Sequence, residues 1–248
     1  MTTNVFDGAA GVVATDSRWS WQWDKYIVYL DDTGFEKIQV LDDLVVMFAG
    51  NGLLIQAWRD YLAAVPRILA NQPAETKKVS VCMIDAQSGE FVRSAGGDYQ
   101  VFDTSRFGGT GGAHALGCWI ANRNAVRAVE TAKGRDPSSG GDVKFVDIKG
   151  SISNVKALYP TRAVTIHMVI EAVHKRGLVM TMSAKNLHFG KPVPFELAAA
   201  QDKNVAAFEQ QLASGQLAPS APFTGMNREW TAAEKEGIND TLKKYGWK

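Results

Sequence analysis

The stretch MTTNVFDGAAGVVATDSR (residues 1–18) decides how the rest of the chain is read. Thr3–Phe6 and Gly11–Thr15 are short runs of strand-forming residues. Between them, Asp7-Gly8-Ala9-Ala10 carries the glycine of a tight hairpin turn. The pattern continues downstream. Trp19, Trp21 and Trp23 alternate with Ser20 and Gln22, which puts three indoles on one face of an extended segment. Tyr26–Leu30 runs on as strand to the turn at Asp31-Asp32-Thr33-Gly34. Lys37–Val40 and Leu44–Phe48 predict another hairpin, closed around Asp42-Asp43. Short strands joined by short turns describe an antiparallel sheet. On this reading Lys37 lies on a strand of the same sheet as Thr2.

The hydrophobic period then changes. After Gly50-Asn51-Gly52, apolar residues at Leu53, Leu54, Ala57, Trp58, Leu62, Val65 and Leu69 recur three or four apart, predicting an amphipathic helix over 51–70. Val79–Asp85, Glu90–Ser94 and Tyr99–Phe102 read as strands. Gly108–Gly112 reads as a glycine-rich loop, and a second helical stretch runs to Ala132, with Asn124 able to cap a fresh start. Lys133–Gly141 is a predicted loop and Asp142–Asp147 a strand. Strands, helix, strands, helix, strand is an α+β order, with helices layered on antiparallel sheet. Further on, Ala163–Glu171 and Gly177–Ser183 are expected strands, with Ile166–Val173 helical as the alternative. Lys191–Pro194 reads as a linker and Leu197–Leu212 as a helix broken at Pro219–Phe223. Thr231–Tyr245 is a last helix, opened by Thr231 and Glu234 at capping-box spacing. Two domains are expected: 1–195, and a helical extension over 196–248.

Composition removes several classes of function. The 248 residues carry 27 Lys+Arg against 26 Asp+Glu, a net charge of +1, which disfavours a polybasic nucleic-acid binder. No run of eighteen apolar residues suggests a membrane span, and the first residues lack the pattern of a secretory signal. Cys82 and Cys118 sit in apolar stretches, so reduced, buried thiols and a cytoplasmic location are expected. The four histidines show no zinc-binding spacing, and GGTGGA (108–113) lacks the lysine of a phosphate loop.

Chemistry concentrates at the start. The small Thr2 after Met1 favours methionine removal, which would leave a hydroxyl nucleophile and a free α-amine on one residue. An ordinary threonine hydroxyl needs a base. An α-amine, with a reference pKa of about 7.7–8.0, can serve once a neighbouring cation pushes it down. Lys37 is the candidate cation and Asp16, at the end of GVVATDSR, its candidate partner. Asp136 and Ser139 in RDPSSGG are placed to bond an amine from a turn, and the N–H of Gly50, closing Phe48-Ala49-Gly50, is a candidate oxyanion donor.

In this order, a Thr-Thr start, ATDSR, a lysine, FAG before a helix, GTGG opening another, and RDPSSGG resemble proteasome β-type subunits. They are similar too to the bacterial ATP-dependent protease ring subunit, another N-terminal nucleophile (Ntn) hydrolase. The resemblance covers about residues 2–150. It implies a four-layer αββα sandwich, a threonine peptidase or amidase, and no metal or organic cofactor. Thr2 becomes the nucleophile with its own amine as base, Asp16 and Lys37 the charged pair, and Gly50 the oxyanion donor. Thr110 stands where the family has serine, and Asp136 and Ser139 complete the network. Trp19, Phe35 and Phe48 would sit near the pocket for the side chain preceding the cut. Homo-oligomeric rings or stacks are implied, acting on a peptide or small amide, and nothing in the residues identifies an ATPase partner. The chain departs in a first hairpin about two residues shorter, in activation by methionine removal instead of self-cleavage, and in the extension past 150. The alternative is a catalytically silent protein that keeps this fold for assembly.

Overall fold

The computed structural model describes residues 2–155, 164–182, 190–214, 217–222 and 227–248. Its first elements are β1 (Thr3–Asp7), β2 (Val12–Asp16), β3 (Trp19–Trp23), β4 (Tyr26–Leu30), β5 (Ile38–Val40), β6 (Leu44–Asn51) and α1 (Gly52–Ala63). There follow β7 (Val79–Asp85), β8 (Phe91–Ala95), β9 (Gln100–Phe102), β10 (Ser105–Gly109), α2 (Gly112–Asn122), α3 (Ala125–Lys133), β11 (Val143–Asp147) and β12 (Ile152–Ser153). The last are α4 (Ile166–Arg176), β13 (Leu178–Thr181), β14 (Val193–Pro194), α5 (Phe195–Gln201), α6 (Lys203–Ala213), β15 (Ser220–Ala221) and α7 (Ala232–Lys244).

Among the described residues the strands form two antiparallel sheets, and the architecture is α+β. One runs β12-β11-β2-β1-β10-β9; the other runs β14-β13-β4-β3-β15-β6-β7-β8, with β5 also on β6. This corrects the single sheet expected for the first fifty residues. The chain changes sheet at Ser17-Arg18, so β1–β2 and β3–β6 belong to different sheets, and Lys37 is not on the sheet of Thr2. Alternation tells which faces a strand has, but not which sheet it joins.

Alternating side chains sort the core among the described residues into three large parts and a small one at Ile27, Tyr29 and Met180. Val5 and Ala14 face α2 and α3, where they meet Phe107, Trp119 and Val129. Phe6 and Val13 face the opposite way, onto Ile38, Val45, Met47, Cys82 and Ile84 of the second sheet. The outer side of that sheet, including Trp19, Val46, Phe48 and Val81, packs against Trp58, Val169, Phe208 and Ile238 of the helices.

Local chemistry sets the element ends. Asn51 caps α1 by accepting from the N–H groups of Leu53 and Leu54. The helix stops at Ala63, well short of residue 70, because Pro66 cannot continue it and disfavours helical backbone before it. Asn124 does restart a helix, its side chain accepting from Arg127 N–H at 2.9 Å. Asp202 divides the single helix expected over 197–212 by capping α6 at Asn204 N–H. The alternative reading of 166–173 as helix is the correct one, with Thr165 as its cap; Ala163, Ser183 and Phe223 lie outside the described residues. Val193–Pro194 pairs with β13 instead of only linking. The strand β10 was not expected. Its Gly108 and Gly109 pair with Asn4 and Thr3, and a Cβ on Gly109 would meet Thr2 O at 1.9 Å, so only glycine permits the approach.

Residues beyond 195 pack onto the second sheet. Phe208 meets Trp21 and Trp23 at 6.2 and 5.8 Å between ring centroids, and Trp230 stacks on Trp58 at 5.0 Å. Cys82 is buried, whereas Cys118 is only half-buried, and both are free. No helix among the described residues is long and apolar enough to cross a membrane. The expected capping box of α7 forms, and Glu234 also binds Arg228 and accepts from Gly96 N–H. The Arg228 guanidinium and the cap hold the Glu234 carboxyl down at about 2, from an ordinary 4.5. A depressed carboxyl adds stability above its unfolded value that is lost as pH falls toward the folded one. Glu234→Gln should therefore abolish a loss of about 1 kcal/mol, reduced by solvent screening, between pH 4.5 and 2 in thermal melts.

Candidate active site

Thr2 lies immediately before β1, and its hydroxyl is held from two sides. It donates to Asp16 Oδ1 at 2.7 Å and accepts from Lys37 Nζ at 3.0 Å. Lys37 Nζ also reaches Asp16 Oδ1 at 3.1 Å, and neither side chain of that ion pair has any exposed surface. The pair joins the two sheets, Asp16 ending β2 and Lys37 leading into β5.

A buried pair is tolerable only when its remaining hydrogen-bonding capacity is met. Asp16 Oδ1 accepts from Thr3 N–H at 2.8 Å as well as from Thr2 and Lys37, while Oδ2 accepts from Arg18 N–H at 3.2 Å and Gly140 N–H at 3.1 Å. Burial pushes the Lys37 ammonium below its ordinary value, and the Asp16 carboxylate opposes that shift only in part. Lys37 Nζ is thus fixed, without exposed surface, as a donor to the Thr2 hydroxyl.

A second network approaches from the loop after α3. Asp136 Oδ2 accepts from Thr110 Oγ at 2.5 Å and from Ser139 Oγ at 2.9 Å, and Ser139 Oγ lies 2.8 Å from Thr3 Oγ. Thr110, Asp136 and Ser139 thus meet as one network, whose contact with the start of the chain is at Thr3. Arg18 secures the loop: its guanidinium binds Asp31 at 2.7 and 2.8 Å, donates to Pro137 O at 2.6 Å and lies over the Tyr29 ring.

Asn4 and Thr15 were missed from the sequence. Thr15 Oγ donates to Asn4 Oδ1 at 2.7 Å, and Asn4 Nδ2 donates to Phe48 O at 3.1 Å, tying β1 to β6 beside Thr2. The available signal was parity: Thr2, just ahead of β1, is two residues from Asn4, and Thr15 is the register partner of Asn4. Gly50 lies two residues beyond Phe48 with φ of 117°, where a Cβ would meet Lys78 O at 2.1 Å. No hydrogen bond joins Gly50 to Thr2 among the described residues. Trp19, Phe35 and Phe48 are buried core: Trp19 and Phe35 rings are 5.1 Å apart, and Trp19 Nε1–H donates to Phe35 O. Among the described residues no group of three or more His, Cys, Asp or Glu is placed to hold a metal.

No protein-family model matches the chain, and no curated protein does. Among solved structures the chain is similar to Thiobacillus denitrificans BPH in complex with epoxomicin, at 17% identity and a TM-score of 0.41, over 64% of this chain and 100% of that one. It is also similar to eukaryotic HslV from Trypanosoma brucei, at 16% identity and a TM-score of 0.30, over 58% and 97%.

The two networks should differ in what they contribute to stability. Asp16→Ala strands the Lys37 charge in the interior and is expected to cost about 3–5 kcal/mol in denaturant unfolding. Asp136→Ala frees only neutral donors and should cost about 1–3 kcal/mol; equal losses would refute the primacy of the ion pair.

Proposed function

We propose that the chain is a proteasome-like N-terminal threonine hydrolase of the Ntn class, acting on a peptide or small amide once Thr2 has a free α-amine. One observation carries this reading: the Thr2 hydroxyl sits 3.0 Å from a wholly buried ammonium and 2.7 Å from its carboxylate partner. The hydroxyl thus meets both members of the pair, where a cation can stabilise negative charge developing on its oxygen.

In the proposed reaction Thr2 Oγ attacks the substrate carbonyl while its proton passes to the neutral α-amine. Lys37 stabilises the developing negative charge on Oγ and lowers the basicity of the amine, keeping it unprotonated near neutral pH. Asp16 holds Lys37 in place, and the Asp136–Ser139–Thr110 network holds the β1 start through Thr3. The Gly50 N–H, which faces Ala221 in the second sheet, is the proposed donor to the tetrahedral oxyanion once that pairing opens. The amine then protonates the leaving nitrogen, the C–N bond breaks, and water attacks the resulting ester to free the acid and restore Thr2.

A four-layer αββα arrangement for 1–195, with 196–248 as an added helical part, belongs to the same proposal, as do ring or stacked homo-oligomers in the cytoplasm. The burial of Trp19, Phe35 and Phe48, which fill the space expected for a substrate side chain, favours a second reading as a silent assembly protein.

A small β-lactone separates the two. On protein whose mass shows a free Thr2, one acyl adduct is expected at Thr2, retained in Thr2→Ser and absent in Thr2→Ala. Freed Thr2 that takes no label would overturn the hydrolase. The labelling rate should rise with pH to a midpoint below about 7.7, and Lys37→Met should move the midpoint up toward 7.7–8.0 and slow the plateau at least about 100-fold.

A further inference from the structure

The second sheet is continuous across its middle through only two residues. β3 and β6 are joined by β15: Ser220 pairs with Ser20 on one side and Asn51 on the other, and Ala221 pairs with Gly50. Gly52 N–H donates to Pro219 O at 2.7 Å, and Ser220 Oγ donates to Ser20 O at 3.3 Å. Ala221 is fully buried. The strand cannot lengthen, because Pro219 and Pro222 flank it and offer no N–H to a ladder. Two residues are well below the usual five or six of a strand. What fills the gap is a short extended segment between two strand edges.

Both strands that border the gap reach residues that surround Thr2. On β6, Phe48 stands two residues before Gly50; its carbonyl accepts from Asn4, and its N–H donates to Lys37 O at 2.8 Å. On β3, Trp19 stands one residue before Ser20, and its ring lies 5.6 Å from Lys37 Nζ. Lys37 Nζ in turn touches Thr2 Oγ. Facing strand edges offer backbone donors and acceptors to any extended chain, whatever its sequence.

We propose that residues 219–222 close the slot between β3 and β6 in cis as a built-in competitor, so that an external extended peptide enters only by displacing them. Leu217 packs against the core of the second sheet, as do Leu212 before the segment and Trp230 after it. These anchors keep the local concentration of the resident strand high, which makes a weak occupant an effective competitor. The effect on hydrolysis rests on the proposed role of Thr2; the occupancy itself rests on strand pairing alone.

The test uses a fluorescein-labelled peptide, Leu-Ala-Ala-Ser-Ala-Ala, which copies the resident segment without its prolines. Ser220→Pro removes a ladder N–H and should bind this peptide at least tenfold more tightly than wild type by anisotropy. The double variant Ser20→Cys with Ser220→Cys, made in a Cys118→Ser background, should cross-link on oxidation. Locked, it should bind at least tenfold more weakly than after reduction. If Ser220→Pro fails to fold, the reversible lock decides. Equal binding by locked and reduced protein, or cysteines that never cross-link, would overturn the proposal. The β-lactone keeps the two readings apart: Thr2 labelling with no change in peptide binding sinks the slot alone, and peptide binding governed by the lock without labelling sinks the hydrolase alone.

Discussion

The contact between Lys37 and Asp16 fastens the two sheets to each other and organises everything near Thr2. Removing both charges from water is costly, and an ion pair in the interior survives only if donors crowd the carboxylate and the ammonium finds acceptors. Here the backbone N–H groups of Thr3, Arg18 and Gly140 supply the former, and Thr2 Oγ is among the latter. Each donor comes from a different part of the chain: the start of β1, the crossover between sheets, and the loop before β11. The electrostatic need of one carboxylate therefore fixes the relative positions of three segments.

The same requirement explains the clamp around the crossover. Ser17 and Arg18 leave β2 and enter the second sheet, and both of their N–H groups donate to Gly140 O. Arg18 then grips Asp31 at the end of β4, and Ser17 Oγ donates to Asp32. The loop carrying Asp136 and Ser139 is thus held against β1 by residues with no direct part in the proposed chemistry. Positioning a hydroxyl to within tenths of an ångström demands this outer support.

The late part of the chain contributes in a different manner. Phe208 and Trp230 cover the outer face of the second sheet, and Trp230 Nε1–H donates to Val79 O on β7. The aromatic strand Trp19–Trp23 is therefore lined on that face by helices that lie far away in sequence. Its indoles serve the core.

The sequence alone determined the early hairpins, the α+β class, the caps at Asn124 and Thr231, and the identity of the charged residues, because each is written in spacing or in one side chain's local bonds. Helix and strand within 163–173 stayed ambiguous since a short apolar run fits both periods. β10 was hidden because glycines read as loop unless a partner strand is known. Which sheet Lys37 occupies, how Asn4 and Thr15 flank the hydroxyl, and the seating of Ser220-Ala221 between β3 and β6 were decided by tertiary structure. Those are pairings between distant segments, fixed by backbone hydrogen bonds and by the burial of opposite charges, and neither leaves a periodic trace in the order of residues.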